Sequence, residues 1–423
     1  MQLSRQSATL ASPLLPFRAR LHPQASFVQV VTARLNQQKH AMDYVYLDYA
    51  ASAPMRQEAL DAEKTYEASA IAGVNPNSLH SLGRQAAREL DGARSVIARA
   101  VGGKFRAPDV VFCSGGTEGN NLSVLGMAEG VRNKDHRRNT VIFSAIEHDS
   151  VLDLAPVLRE KGFEVRIAQP NRQGKIEPST LEGLLDQSVA LVSVMYANNE
   201  TGVIQPVVDL ARAAHKVGAL FHTDAVQAFG RIPLEVADVD ALTIAAHKIG
   251  GPLGIAAVLM RSKVPFKVQS YGGGQEAGRR HGTQDVRSAL AFAAAAQWCL
   301  QNLSQTQECV SARANKVYET LCASPKIKPT TEAYAGKDHM PGTVSIMVPS
   351  MDSETLILKL DQAGYEVSAG SACSSGSLDA SHVLTAMGIS RNEALGSLRI
   401  TFDERVSEAD LHAFCTTLLH IVG

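Results

Sequence analysis

From about residue 110 the chain alternates short β-branched or aromatic runs with stretches whose apolar positions recur every three or four residues. The runs VVFC (110–113), TVIFS (140–144), FEVRIA (163–168), VALVSVMY (189–196), ALFHTD (219–224), DALTIAA (240–246) and IAAVLM (255–260) predict strands. Several are apolar on both faces, as central strands of a doubly covered parallel sheet are. Helical spacing fills the intervals, over 118–130, 150–161 and 206–217. Before them, residues 84–101 put Leu90, Ala93, Ile97 and Val101 on one face. Such alternation predicts an α/β domain with a mostly parallel, seven-stranded sheet. After an Ala-rich helix over 284–303 the pattern changes. Strands at 342–348, 365–369 and 397–402, with helices over 353–363 and from Ser407, predict a smaller α+β domain, and residues 324–341 read as exposed loop.

A chain of 423 residues exceeds one compact core, which agrees with two domains. The formal net charge of −1 gives no footprint for nucleic acid or an anionic membrane, and no apolar run approaches the ~20 residues of a spanning helix. The cysteines at 113, 299, 309, 322, 373 and 415 contain no CxxC pair, which argues against zinc and a disulfide framework and suits a reducing compartment. Residues 1–42 stand apart: they lack Asp and Glu and carry Arg5, Arg18, Arg20 and Arg34. They read as a disordered extension, as an organellar transit segment, or as upstream of a true start at Met42. The expected location is accordingly cytoplasmic, or organellar if the segment is a transit peptide.

The chemistry collects at strand ends. Lys248, in AAHKIGGPLG, ends a buried strand before a Gly-rich turn, where burial favours a neutral, nucleophilic amine; a surface lysine is the alternative. Asp224 ends ALFHTD, and a buried carboxylate there needs a partner such as a protonated pyridine nitrogen, unless it merely caps a helix. Gln227, three residues on, is within reach of a ring oxygen. SGGTEGNN (114–121) is a glycine-rich strand-to-helix turn in which the backbone at Gly116 and the Thr117 hydroxyl suit an anion. His148 and Asn199 end two further strands, His148 suited to stacking on an aromatic ring, or else to starting a helix. Five strand ends thus each carry a group suited to one part of pyridoxal phosphate. Cys373, in AGSACSSGS, reads as an exposed thiol on a loop, a candidate nucleophile or an incidental surface cysteine. Arg399, in SLRITF, is suited to clamp a carboxylate.

Taken in order, YLDYAASAP, NPNSLHSLGR, SGGTEGNN, EHDSV, YANNETGV, FHTDAVQ, AHKIGGPLG, GGGQEAGRRHGT, SAGSACSSGSL and LRITF resemble the cysteine desulfurases of the NifS/IscS type, within the class V aminotransferases. The resemblance implies the fold of fold-type I pyridoxal-phosphate enzymes, with a large domain over 58–303 and a small one formed by 43–57 with 304–423. It implies pyridoxal 5'-phosphate bound by Gly116, Thr117, His148, Asn199, Asp224, Gln227, His247 and Lys248, with Lys248 as the Schiff-base lysine. Asn75, Asn199 and Arg399 would bind substrate. Thr283 would reach the phosphate of a neighbouring subunit, making the protein a homodimer. Lys248, His148 and Cys373 would turn L-cysteine into L-alanine, with the sulfur passing as a Cys373 persulfide to an acceptor protein for iron–sulfur cluster assembly or thiolation. The alternatives are a selenocysteine lyase, a class V enzyme that does not use Cys373, or a cofactor-binding scaffold without turnover.

Two departures from the family pattern bear on this. Ala245 stands where a phosphate-binding serine is common, a hydrogen bond worth roughly 1.5–3 kcal/mol. Asp403 and Glu404, close to Arg399, are expected to compete for its guanidinium.

Overall fold

The computed structural model describes residues 44–332, 334, 336–370 and 380–423; the 1–42 segment and Cys373 lie outside the described residues. Residues 45–423 form one compact unit. Its strands are β1 (Val45–Tyr46), β2 (Val110–Cys113), β3 (Thr140–Ser144), β4 (Glu164–Ala168), β5 (Val189–Ser193), β6 (Leu220–Asp224), β7 (Ala241–Ala245), β8 (Ala256–Met260), β9 (Lys328–Pro329), β10 (Thr343–Met347), β11 (Tyr365–Glu366) and β12 (Ser397–Thr401). Seven of them make the sheet β2-β8-β7-β6-β5-β3-β4, in which only β8 runs antiparallel to its neighbours.

Alternation along these strands sorts their residues into two cores. Val110, Phe112, Ile142, Leu242, Ile244, Ala257 and Leu259 join one apolar cluster, which also holds residues of the Ser81–Val101 and Val286–Cys322 helices. Val111, Cys113, Val141, Phe143, Ala241, Ala245, Ala256 and Val258 join the other, with the Gly116–Lys134 helix. Both faces of the sheet's interior are therefore buried, which is why its central strands carry so few polar positions, while the edge strand β4 is partly exposed. Gly119 lets the Gly116–Lys134 helix lie close on β7: a Cβ there would come within 2.6 Å of the Thr243 methyl.

A third cluster gathers Leu47, Tyr49, Val310, Tyr318, Val344, Ile346, Leu398, Ile400 and Phe414 around the antiparallel sheet β12-β10-β9. The Val286–Cys322 helix serves two clusters. Its first half, through Cys299, packs with the large sheet, and its second half, from Val310 to Leu321, packs here. This helix is longer than the 284–303 expected. The polar run at 304–308 hides the continuation, which Val310, Ala314, Val317, Tyr318 and Leu321 sustain on one buried face. Conversely, the helix expected over 150–161 divides into Asp149–Leu152 and Leu154–Glu160. Pro156 lies in the first turn of the second piece, where its missing N–H costs no bond. The 324–341 loop contains the short edge strand β9. Among the described residues no helix is long and apolar enough to cross a membrane.

Candidate active site

The C-terminal ends of β2, β3, β5, β6 and β7 open onto one cleft, lined by Gly116, Thr117, Asn120, His148, Ser150, Met195, Asn199, Asp224, Val226, Gln227, His247 and Lys248. Parallel strands bring their carboxyl ends to one edge of the sheet, so residues up to 132 positions apart in sequence meet there.

Lys248 ends a single 3-10 turn after β7. Its Nζ donates to the carbonyls of Ala50 and Ala51, at 2.6 and 2.9 Å. The carbonyl of Ala50 also accepts from Gln227 Nε2 at 3.0 Å, which ties the lysine and the glutamine to one point of the 49–54 segment. Next to the lysine, the His247 imidazole is held down at about 4, by burial and then by the charge of Lys248. It is a neutral ring at physiological pH.

Asp224 is buried. Its Oδ1 accepts from the backbone N–H of Val226 at 2.9 Å and its Oδ2 from Asn120 Nδ2 at 2.6 Å. The first contact is the turn-capping role weighed for an isolated aspartate; it coexists with a place in the cleft. Asn120 also donates to Ser150 Oγ at 2.9 Å, and its own Oδ1 is buried without a partner. Asn120 lies one helical turn beyond Gly116, on the sheet-facing side of the Gly116–Lys134 helix. A polar side chain on that buried face was the sequence signal for it.

His148 likewise combines both roles. It caps the Asp149–Leu152 helix, with Nδ1 accepting from the Ser150 N–H at 3.0 Å. A neutral ring so engaged carries its proton on Nε2. Behind it, burial pushes the Glu147 carboxyl up to about 8, against hydrogen bonds from Ser144 and the Met195 N–H and with Asp224's charge adding to the rise. Its Oε2 has no partner. Glu200, beside Asn199, is also raised by burial while accepting from Ser381 Oγ at 2.5 Å.

Other expected site residues lie elsewhere. Arg399 is fully buried on β12 and does not line the cleft. It donates to Asp48 Oδ1 at 2.7 Å and to the Asn199 carbonyl at 3.1 Å, and its Nε is unpartnered. The expected competition from Asp403 and Glu404 is corrected by the structure. These acids pair with Arg56, Glu404 at 2.6 Å, and Asp403 also takes Arg405 at 2.6 Å. The carboxylate beside Arg399 is Asp48. Asn75 is exposed, its Oδ1 is used in a turn by the Asn77 N–H at 2.9 Å, and it does not line the cleft. Thr283 is exposed on the segment before the Val286–Cys322 helix and does not line the cleft of its own chain. Ala245 packs among apolar side chains and brings no donor. Among the described cysteines, burial raises the thiols of Cys113, Cys299, Cys322 and Cys415.

The class-V aminotransferase family profile matches residues 45–414. The cysteine desulfurase IscS of Dictyoglomus turgidum is 34% identical over 383 residues, 89% of this chain and 94% of its own length. An IscS-like cysteine desulfurase of Mycobacterium tuberculosis is 36% identical over 376 residues, 87% of this chain and 93% of its own. A solved NifS-like protein superposes with a TM-score of 0.81 at 32% identity, over 90% of this chain and 99% of that one. With the family profile matching residues 45–414 and relatives above 30% identity covering most of both chains, the chain belongs to the class-V aminotransferase family, with the cysteine desulfurases of the NifS/IscS type.

Proposed function

We propose that the protein is a pyridoxal-phosphate-dependent cysteine desulfurase that moves sulfur from L-cysteine to its own Cys373. The observation that carries this reading is the meeting of Lys248, Asp224, His148 and the Gly116–Thr117 helix start in one cleft. The residues fit the cofactor. Asp224 is a buried carboxylate that, among the described residues, forms no salt bridge, which suits a pyridinium N–H. The helix N-terminus at Gly116 offers free N–H groups, and a Cβ at Gly115 would meet nothing within 4 Å, leaving room for phosphate. Thr117 and neutral His247 supply further donors that compensate for Ala245.

Bound there, pyridoxal phosphate supplies an electron sink for charge released at the substrate Cα. Lys248 would anchor the cofactor aldehyde and, once freed, move the Cα proton; to do so it leaves the Ala50 and Ala51 carbonyls. His148, with its proton on Nε2, would exchange a proton with the substrate thiol. A substrate carboxylate would reach the Arg399 guanidinium only by displacing Asp48 or the Asn199 carbonyl from it. The Cys373 thiolate would take the sulfur: a C–S bond breaks and an S–S bond forms. The carbon is reduced to the methyl of L-alanine as the sulfur is oxidised, and no outside oxidant is needed. A sulfur-acceptor protein would then take the persulfide. Exposed Thr283 suits contact with a second copy of the chain, and the two clusters served by the Val286–Cys322 helix suit a large lobe over 58–303 and a small lobe of 43–57 with 304–423.

Protein loaded with pyridoxal phosphate is expected to show a visible absorption band that borohydride abolishes by fixing the cofactor on Lys248, and Lys248→Ala is expected to show none. Fixation on another lysine would reject the reading.

A further inference from the structure

Two contacts of Gln227 determine how its amide lies. Oε1 accepts from Nη1 of Arg231 at 3.2 Å, and Nε2 donates to the Ala50 carbonyl at 3.0 Å. A guanidinium only donates and a carbonyl only accepts, so exchanging oxygen and nitrogen would break both bonds. One Nε2 hydrogen is used on Ala50. The other remains, on a side chain that lines the cleft together with Asp224 and Lys248.

Arg231 is outside that cleft. It lines a small pocket on the other side of Lys248, with Arg56, Cys299 and Asp403, and it donates to the Pro341 carbonyl at 3.0 Å and the Thr343 hydroxyl at 3.5 Å. Its hydrogen-bond partners are thus all neutral. Burial lowers it to about 10, so it is cationic at neutral pH; the titratable groups whose charge reaches it are Asp403, Arg399 and Cys299. Such a cation is costly to bury without a carboxylate, and the contact with Gln227 gives it a purpose beyond packing.

We propose that Arg231 is a positioning residue for the cofactor's ring oxygen: by holding Oε1 of Gln227 it leaves the amide N–H as the group offered to that oxygen. The inference rests on the proposed binding of pyridoxal phosphate and adds a residue to it. With Arg231 gone, no contact holds Oε1, and the amide is free to turn its own oxygen toward an anionic one.

The pH midpoint of the visible band of the loaded protein reports on this oxygen, because a donor stabilises its anion and lowers the midpoint. Arg231→Met is expected to raise the midpoint by about one pH unit, the order expected for one hydrogen bond to a charged group. Gln227→Leu should raise it as well, and adding Arg231→Met to Gln227→Leu should raise it little further. Arg231→Lys keeps the charge without the fork and should raise it by less; it carries the test if Arg231→Met does not fold. An unchanged midpoint in the Arg231 variants, or shifts that simply add in the double variant, would overturn the proposal. A wild-type chain that takes up no pyridoxal phosphate would overturn the cofactor reading and this inference together, a result distinct from an unmoved midpoint.

Discussion

The carbonyl of Ala50 accepts from Lys248 and from Gln227, and the carboxylate of Asp224 accepts from Asn120. Lys248, Gln227 and Asp224, singled out from the sequence, therefore each lean on a residue that was not. Asn120→Ala removes the amide donor from Oδ2 of Asp224 and leaves the carboxylate's orientation to the Val226 N–H alone. The expected loss is roughly 1.5 kcal/mol in cofactor affinity, about tenfold in Kd, measured by titrating pyridoxal phosphate into apoprotein. An unchanged Kd would mean that Asn120 does not orient Asp224 for the cofactor. At Arg399 the sequence indicated the right neighbourhood and the wrong partner. Asp403 and Glu404 are four and five residues away in the chain, but the turn after β12 sends them to Arg56, whose guanidinium stacks 3.6 Å from the Trp298 ring centre. Distance along a chain does not report direction across a turn.

At the scale of elements, most strands of the large sheet were legible because β2, β3, β5, β7 and β8 are buried throughout and mostly apolar, whereas the edge strand β4 alternates Glu164 and Arg166 with Val165 and Ile167. The helices were legible where one face is apolar and the other polar. The half of the Val286–Cys322 helix beyond 303 was not, because its buried face begins again only at Val310, after a polar turn. The site was legible through strand ends for the same topological reason that parallel sheets gather ligands there. Its second layer was not, since Asn120 meets Asp224 across 104 residues and Glu147 meets the Met195 N–H across 48. Close packing of the Gly116–Lys134 helix on β7 depends on Gly119. Gly119→Val would drive side-chain atoms into Thr243 and Cys113. The expected cost is about 1–3 kcal/mol in urea unfolding, with weaker cofactor retention because the helix start moves. Stability equal to wild type would contradict that packing. A second anchor is the buried Arg94–Glu276 pair, 2.7 Å between Nη1 and Oε2, where Glu276 sits at φ 48°. Arg94→Met leaves Glu276 buried without its cation, and a loss of about 3–5 kcal/mol is expected in the same measurement. A loss below about 1 kcal/mol would show the pair to be dispensable.

For the whole molecule, the buried acid behind the site ties stability to pH. Glu147 titrates near 8 when folded, against 4.5 as its ordinary value. A folded value above the unfolded one means the folded state holds a proton that the unfolded state has lost. That contribution is complete below pH 4.5 and disappears as pH rises toward 8. Glu147→Gln, which cannot ionise, is expected to lose less thermal stability between pH 6 and 8 than wild type, by on the order of 1–2 kcal/mol. Parallel stability–pH curves for the two proteins would show that Glu147 is not protonated in the fold. His222, buried between Ser193 and Thr243, acts in the opposite sense. Burial holds it near 3, so the stability it contributes is present above 6.5 and is lost as pH falls from there through about 3.

The fate of the cysteine sulfur distinguishes a desulfurase from every other reading of the site. Protein loaded with pyridoxal phosphate should be given L-cysteine without a reductant, alanine quantified, and the chain digested and weighed. The expected result is one alanine per subunit in the first turnover and one added sulfur atom on the peptide containing Cys373, with both lost in Lys248→Ala and the added sulfur absent in Cys373→Ser. Undiminished alanine formation by Cys373→Ser, or an added sulfur on a different cysteine, would contradict it.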